Sequence, residues 1–139
     1  MTARICPYLQ MNGTAAEAVR FYEKALGAEV VGVVNFGEMP ADHTQTLTDE
    51  QKNRIAHAHL KIGGTDLMLA DTFPGQPHSS GNQVTVMFLA DNPDTARRVF
   101  DALADGANVI MPLEKTFWSP AYGMLVDKFG VTFQISTDQ

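Results

Sequence analysis

Two segments of this chain repeat the same order of elements, and that repeat limits the available folds more than any other feature. The first copy reads PYLQM, TAAEAVRFYEKALGAEVV and AHAHLKIGGTDLMLAD; the second reads TVMFLAD, NPDTARRVFDALADGANVI and YGMLVDKFGVTFQIST. Each runs strand, helix, glycine, strand and a glycine-turned hairpin, which makes a βαβββ unit. Gly27-Ala28-Glu29-Val30-Val31 matches Gly106-Ala107-Asn108-Val109-Ile110, and aligning Gly64 with Gly130 gives Met68 and Gln134 the same place. The pattern predicts a single α+β domain over 1–139, with modules at 4–72 and 83–137 and a Gly/Pro/Ser-rich linker at 73–82. A half-sheet alone leaves an apolar face in water. The two sheets are therefore expected to curve around one central cavity, with the helices outside.

Local signals place the elements. Thr14-x-x-Glu17 reads as a capping box, in which hydroxyl and carboxylate each satisfy a free backbone N–H. Ala18, Phe21, Tyr22, Ala25 and Leu26 then recur at helical spacing, and Gly27 suits the left-handed end position. In the second copy Asn92-Pro93 supplies a cap and a first-turn proline, Ala96, Val99, Phe100 and Leu103 form the stripe, and Gly106 closes it. Thr48-x-x-Gln51 marks another cap, opening a short helix within the long polar stretch Phe36–Asn53. Alternation over Arg4–Met11 turns Ile5, Pro7, Leu9 and Met11 one way and Cys6, Tyr8 and Gln10 the other. Pro112–Ala121 reads as a connecting loop carrying Trp118, the sole tryptophan.

Composition narrows the function. Ten Lys+Arg against sixteen Asp+Glu give a net charge of −6, and the only adjacent basic pair, Arg97-Arg98, lies within a predicted helix. Binding nucleic acid needs clustered cations, so no nucleic-acid partner is expected. One cysteine, Cys6, excludes an intramolecular disulfide and a four-Cys zinc site. The opening MTARICPYLQMNG holds no long apolar stretch, and no 18-residue apolar run occurs. The expectation is a soluble cytoplasmic protein without a membrane partner.

Six short pieces carry a family resemblance. They are Pro7-Tyr8-Leu9, Phe21-Tyr22 ahead of Leu26-Gly27-Ala28, Phe36-Gly37-Glu38-Met39-Pro40, Ala56-His57-Ala58, Glu114-Lys115-Thr116-Phe117-Trp118 and Asp127-Lys128-Phe129-Gly130-Val131. In this order they span nearly the whole chain. Together with the paired βαβββ units they resemble the PhnB-like branch of the vicinal-oxygen-chelate superfamily of glyoxalase, bleomycin-resistance and extradiol-dioxygenase proteins. The resemblance implies a glyoxalase-like fold and a homodimer. Members of the branch often bear a 3-demethylubiquinone 3-methyltransferase label. The residues speak against that chemistry here: no Gly-x-Gly follows a strand to cradle S-adenosylmethionine, and Gly63-Gly64 reads as a hairpin turn between two strands.

In metal-dependent members of the superfamily, His or Gln from each first strand and Glu from each last strand hold a divalent ion. Carried over, those places fall on Cys6, Thr85, Met68 and Gln134, a set without a carboxylate. No metal or other cofactor is expected there. By alternation His57 and His59 share a side with Met68, opposite Ala58, Leu60 and Ile62. Such a pair either binds a metal or moves protons, or serves as a wall hydrogen-bonded to backbone. Glu38 and Asp71 are either bases or turn-capping acids, and His43 and His78 read as surface residues. The residues expected to face a small-molecule ligand are Cys6, Tyr8, Gln10, Phe36, His59 and Met68 in the first module. In the second they are Thr85, Met87, Phe117, Trp118, Tyr122 and Gln134. Three functions follow: a metal-free small-molecule binder, a metal-dependent or proton-transfer lyase or isomerase using His57 and Glu38, or a non-catalytic dimeric interaction protein.

Overall fold

The computed structural model describes residues 3–40 and 46–137, and the chain divides into two compact units, 1–79 and 80–139. Among the described residues each unit holds one four-stranded mixed sheet. In the first unit the elements are β1 (Tyr8–Met11), α1 (Ala15–Leu26), β2 (Glu29–Asn35), a 3-10 turn at Phe36–Glu38, α2 (Asp49–Lys52), β3 (Ile55–Ile62) and β4 (Thr65–Asp71). The second unit has β5 (Val86–Ala90), α3 (Pro93–Leu103), β6 (Asn108–Glu114), β7 (Tyr122–Val126) and β8 (Thr132–Thr137). The strand orders, β1-β4-β3-β2 and β5-β8-β7-β6, are the same order repeated, each with one parallel pair next to two antiparallel ones. This is the α+β architecture that the repeat predicts, and neither sheet is the open parallel kind.

The repeat extends to irregularities. On β2 the register slips between Val30 and Gly32; on β6 it slips between Val109 and Met111. The extra residues, Val31 and Ile110, are the ones the sequence alignment pairs, and each is 51% exposed. Such bulges twist an outer strand away from further pairing.

In each unit the helix covers one sheet face. Tyr22 and Ala18 of α1 are buried with Met11, Leu60 and Leu69; Val99 and Leu103 of α3 are buried with Leu125, Phe133 and Ile135. The stripe on α3 is the predicted one, whereas on α1 Val19 joins it and Phe21 lies at its flank. Gly123 is the closest approach: a Cβ there would stand 2.7 Å from Phe100 Cε2. The β3–β4 hairpin turns through Gly63 and Gly64, whose φ angles of 54° and 85° suit a two-residue hairpin loop.

Three local expectations need correction. Thr14 precedes α1 but its side chain caps nothing; the Ala15 N–H is taken instead by Asp71 Oδ1 at 2.9 Å. A buried carboxylate is a stronger acceptor for a helix N-terminus than a hydroxyl. β1 starts at Tyr8, not Arg4, and Ile5 is 100% exposed. Among the described residues β1 pairs with β4 alone, and Pro7 has no N–H for the ladder, so the strand starts past it. Finally Pro112, Leu113 and Glu114 belong to β6. Proline is tolerated there because β6 is an outer strand and the register breaks between Met111 and Glu114. By contrast Asn92 caps α3 through Thr95 N–H at 2.8 Å, and Thr48 and Gln51 form the reciprocal box on α2.

Candidate functional site

The chemistry lies on the sheet faces away from the helices. In the first unit, Tyr8 and His59 both pair in register with Met68, and Val34 pairs with His57. Side chains paired across a ladder point to the same face, so Tyr8, His57, His59 and Met68 share one side, opposite Ala58, Leu60 and Leu69. The Tyr8 hydroxyl lies 3.0 Å from His57 Nδ1, with ring centroids 5.7 Å apart. Partial burial raises the Tyr8 phenol above its ordinary value and keeps it protonated. The phenol and the imidazole share one hydrogen bond, whose direction follows the tautomer of His57.

His59 has a different partner. Its Nε2–H donates to Asp66 Oδ1 at 2.8 Å, and the Arg4 guanidinium pairs with Oδ2. The Asp66 side chain is only 5% exposed, and its pKa is lowered first by the His59 hydrogen bond and then by the charge of Arg4. Sequence reasoning missed Asp66. The signal was present, because a two-residue turn at Gly63-Gly64 fixes the register Lys61↔Asp66 and sets Asp66 diagonally beside His59.

In the second unit the helix-free face centres on Gln134. Tyr122 OH donates to Gln134 Oε1 at 2.5 Å, and Gln134 Nε2 donates to Thr85 Oγ1 at 2.9 Å. Met87 and Met124 flank Gln134 in register. Trp118 packs edge-on to Tyr122 with ring centroids 5.3 Å apart, and Phe117 edge-on to Trp118 at 4.7 Å. Trp118 is 55% and Phe117 97% exposed, yet their loop is firmly held. Buried Ser119 bonds to Ala121 O, Thr137 O and Ser136 Oγ, and its backbone closes a turn with Thr116.

Other predicted positions have structural duties. Phe36 is buried and meets Phe73 edge-on, so it is a core side chain of the first unit. Glu38 Oε2 accepts the Asn35 N–H at 2.7 Å, which closes the 3-10 turn. Asp71 joins α1 to β3, accepting from Ala15 and Ile55 at 2.9 Å each. His78, expected to be a plain surface residue, donates from Nε2 to the Gln10 carbonyl at 2.9 Å and so covers part of the β1 edge. Cys6 is half-buried just ahead of β1. His43 lies outside the described residues.

The donor set does not suit the divalent ion of the metal-dependent relatives. A thiol, a hydroxyl, a thioether and an amide supply no carboxylate, and both ends of the Gln134 amide are engaged by Tyr122 and Thr85. Among the described residues no three His, Cys, Asp or Glu side chains converge on a metal-sized site.

Repeat, topology and site define a two-module glyoxalase-type protein, and comparison with known proteins gives its family. The chain belongs to the glyoxalase/bleomycin resistance protein/dioxygenase superfamily, whose model matches residues 4–135. It is similar to protein YjdN of Escherichia coli K12, at 33% identity over 95% of this chain and 93% of that one. Among solved structures it is similar to protein PA1353 from Pseudomonas aeruginosa, with TM-score 0.88 and 35% identity over 99% of each chain. A putative 3-demethylubiquinone-9 3-methyltransferase, PhnB protein, from Bacillus cereus shares the fold. There the TM-score is 0.79 and the identity 22%, over 97% of this chain and 99% of that one. No helix among the described residues is long and apolar enough to cross a membrane.

Proposed function

We propose that this protein binds a small organic molecule on the helix-free sheet faces, without a divalent metal. One observation carries the reading: Gln134 sits, hydrogen-bonded, amid apolar side chains that stay exposed, Met87 at 44%, Leu89 at 58% and Trp118 at 55%. Ligand sites combine mostly apolar walls with a few oriented polar groups, and this face has that composition. Thermal unfolding across a library of uncharged small molecules tests it. A ligand specific to the native state at one hundred times its Kd adds about 2.7 kcal/mol of stability. A library that leaves Tm unmoved throughout overturns the reading.

The Tyr8–His57 hydrogen bond favours a second reading, proton transfer by His57 with Tyr8 as its partner. Glu38 has no part in this version, because its carboxylate closes the turn at Asn35. Once a turned-over substrate is in hand, His57→Asn must abolish turnover while leaving binding in place. Equal turnover by this variant removes the second reading. We also propose that two copies of the chain associate.

A further inference from the structure

The hydrogen bonds around Gln134 have a direction, and the direction specifies a ligand. The contact between Tyr122 and Gln134 is 2.5 Å long, within the range of O–H···O and too short for N–H···O. The amide oxygen therefore faces Tyr122 and the amide nitrogen faces Thr85, at 2.9 Å from Oγ1. Gln134 Nε2 has two hydrogens and gives one to Thr85. Thr85 accepts that bond, so its own hydroxyl hydrogen remains to be given. Tyr122 has already committed its only hydrogen. At the half-buried centre of the face, two N–H or O–H hydrogens remain on offer beside the spare lone pairs of Oε1, Thr85 Oγ1 and Tyr122 O, and an uncovered donor is the rarer of the two in proteins.

Charge points the same way. The strand positions around the relay are Met87, Leu89 and Met124, and Trp118 closes one side through Tyr122. The charged side chain in register on this face is Glu114, on the outer strand β6, paired with Tyr122. Among the described residues no cation bonds to Gln134, Thr85 or Tyr122, whose partners here are one another.

We infer that this face recognises an uncharged, flat, apolar molecule through a carbonyl oxygen, held by the second Nε2–H of Gln134 and the hydroxyl of Thr85. The inference rests on the binding function proposed above and names the chemistry of its ligand. A ligand without an acceptor covers these two donors and leaves them unpaired, which costs about tenfold in affinity.

The test uses the full chain and two probes of the same shape, 1-indanone and indane, which differ by one carbonyl oxygen. Two-dimensional 1H–15N NMR titration follows the side-chain amide of Gln134 and the indole N–H of Trp118. The expected result is about tenfold tighter binding of 1-indanone, with a downfield shift of the Gln134 amide that indane does not produce. Thr85→Val and Gln134→Met keep side-chain size and remove one donor site each. Each must reduce the preference, by weaker 1-indanone or tighter indane binding, with an unaltered circular dichroism spectrum as the check on folding; if one variant does not fold, the other decides. Equal affinity for the two probes in the parent chain overturns the inference and leaves the binding function standing. So does a preference that survives in the folded variants. Failure of both probes, while other library members raise Tm, also overturns it; failure of every compound removes the binding function as well.

Discussion

Asp71 divides its carboxylate between two backbone N–H groups 40 residues apart in sequence, Ala15 at the start of α1 and Ile55 at the start of β3, and is 3% exposed. Replacing it by alanine strands both donors in the interior. Asp71→Ala is expected to cost about 3 kcal/mol, read as a lower denaturant midpoint at unchanged m-value. Asp66 belongs to a different class, held below its ordinary pKa by His59 and Arg4. A carboxylate depressed in the folded state contributes stability above its unfolded pKa and loses it as pH falls through the folded one. The Tm of the parent chain should therefore drop more steeply below about pH 4 than that of Asp66→Asn, whose Tm is already lower at pH 7. Parallel Tm–pH curves would remove Asp66 from the acid response. At the site, alternation alone made His57, His59 and Met68 legible as one face. It left Tyr8 unpaired with His57 because that contact depends on how the parallel β1–β4 pair is staggered, and no local turn encodes that stagger. Donor chemistry also gives a prediction at this scale. Elemental analysis of the purified protein should find no near-stoichiometric Zn, Ni, Mn or Fe, since Met68 and Gln134 stand where carboxylates would be needed.

Among the elements, α3 sits lowest on its sheet at Gly123, where an added methyl would meet Phe100 Cε2 at 2.7 Å and the backbone of Leu113 and Met111 at 3.1 Å. Gly123→Ala should destabilise the chain by about 2 kcal/mol, because the β6 backbone on one side and the buried Phe100 ring on the other leave no room for a methyl. Gly32→Ala, on the outer strand β2 of the first unit, has nothing within 4 Å and serves as the neutral comparison. A similar midpoint for both variants in urea would refute the close packing. The elements that sequence made legible are those whose signals are local: the Asn92 cap, the Thr48 box, the Gly63-Gly64 turn and the stripe of α3. Its errors fall where a distant group decides. Asp71 supplies the acceptor at the start of α1 from 56 residues beyond Ala15, and Pro112 enters β6 where the register breaks on a strand that ends the sheet among the described residues.

For the whole molecule, both units leave apolar side chains in water at corresponding places. On β2 these are Val31, Val33 and Val34, between 39% and 51% exposed; on β6 they are Val109, Ile110 and Met111, between 41% and 51%. We propose that a second copy of this chain covers part of these exposed apolar side chains, which lie on both faces of each outer strand. The bulges obstruct addition of a further strand, so the cover must come from side-chain packing and not from an extended ladder. A second copy of the same chain meets this requirement with closed symmetry, because one two-fold axis hides the same patch on both partners. Sedimentation equilibrium at micromolar concentration should then give about twice 15.2 kDa, with little change between low and high salt, since the patch is uncharged. Val31→Lys combined with Ile110→Lys places a cation at both bulges while leaving each fold intact. This double variant should sediment near 15.2 kDa with an unaltered circular dichroism spectrum. A parent chain that stays near 15.2 kDa up to about 100 μM overturns the pairing, and a double variant that still dimerises moves the interface away from β2 and β6.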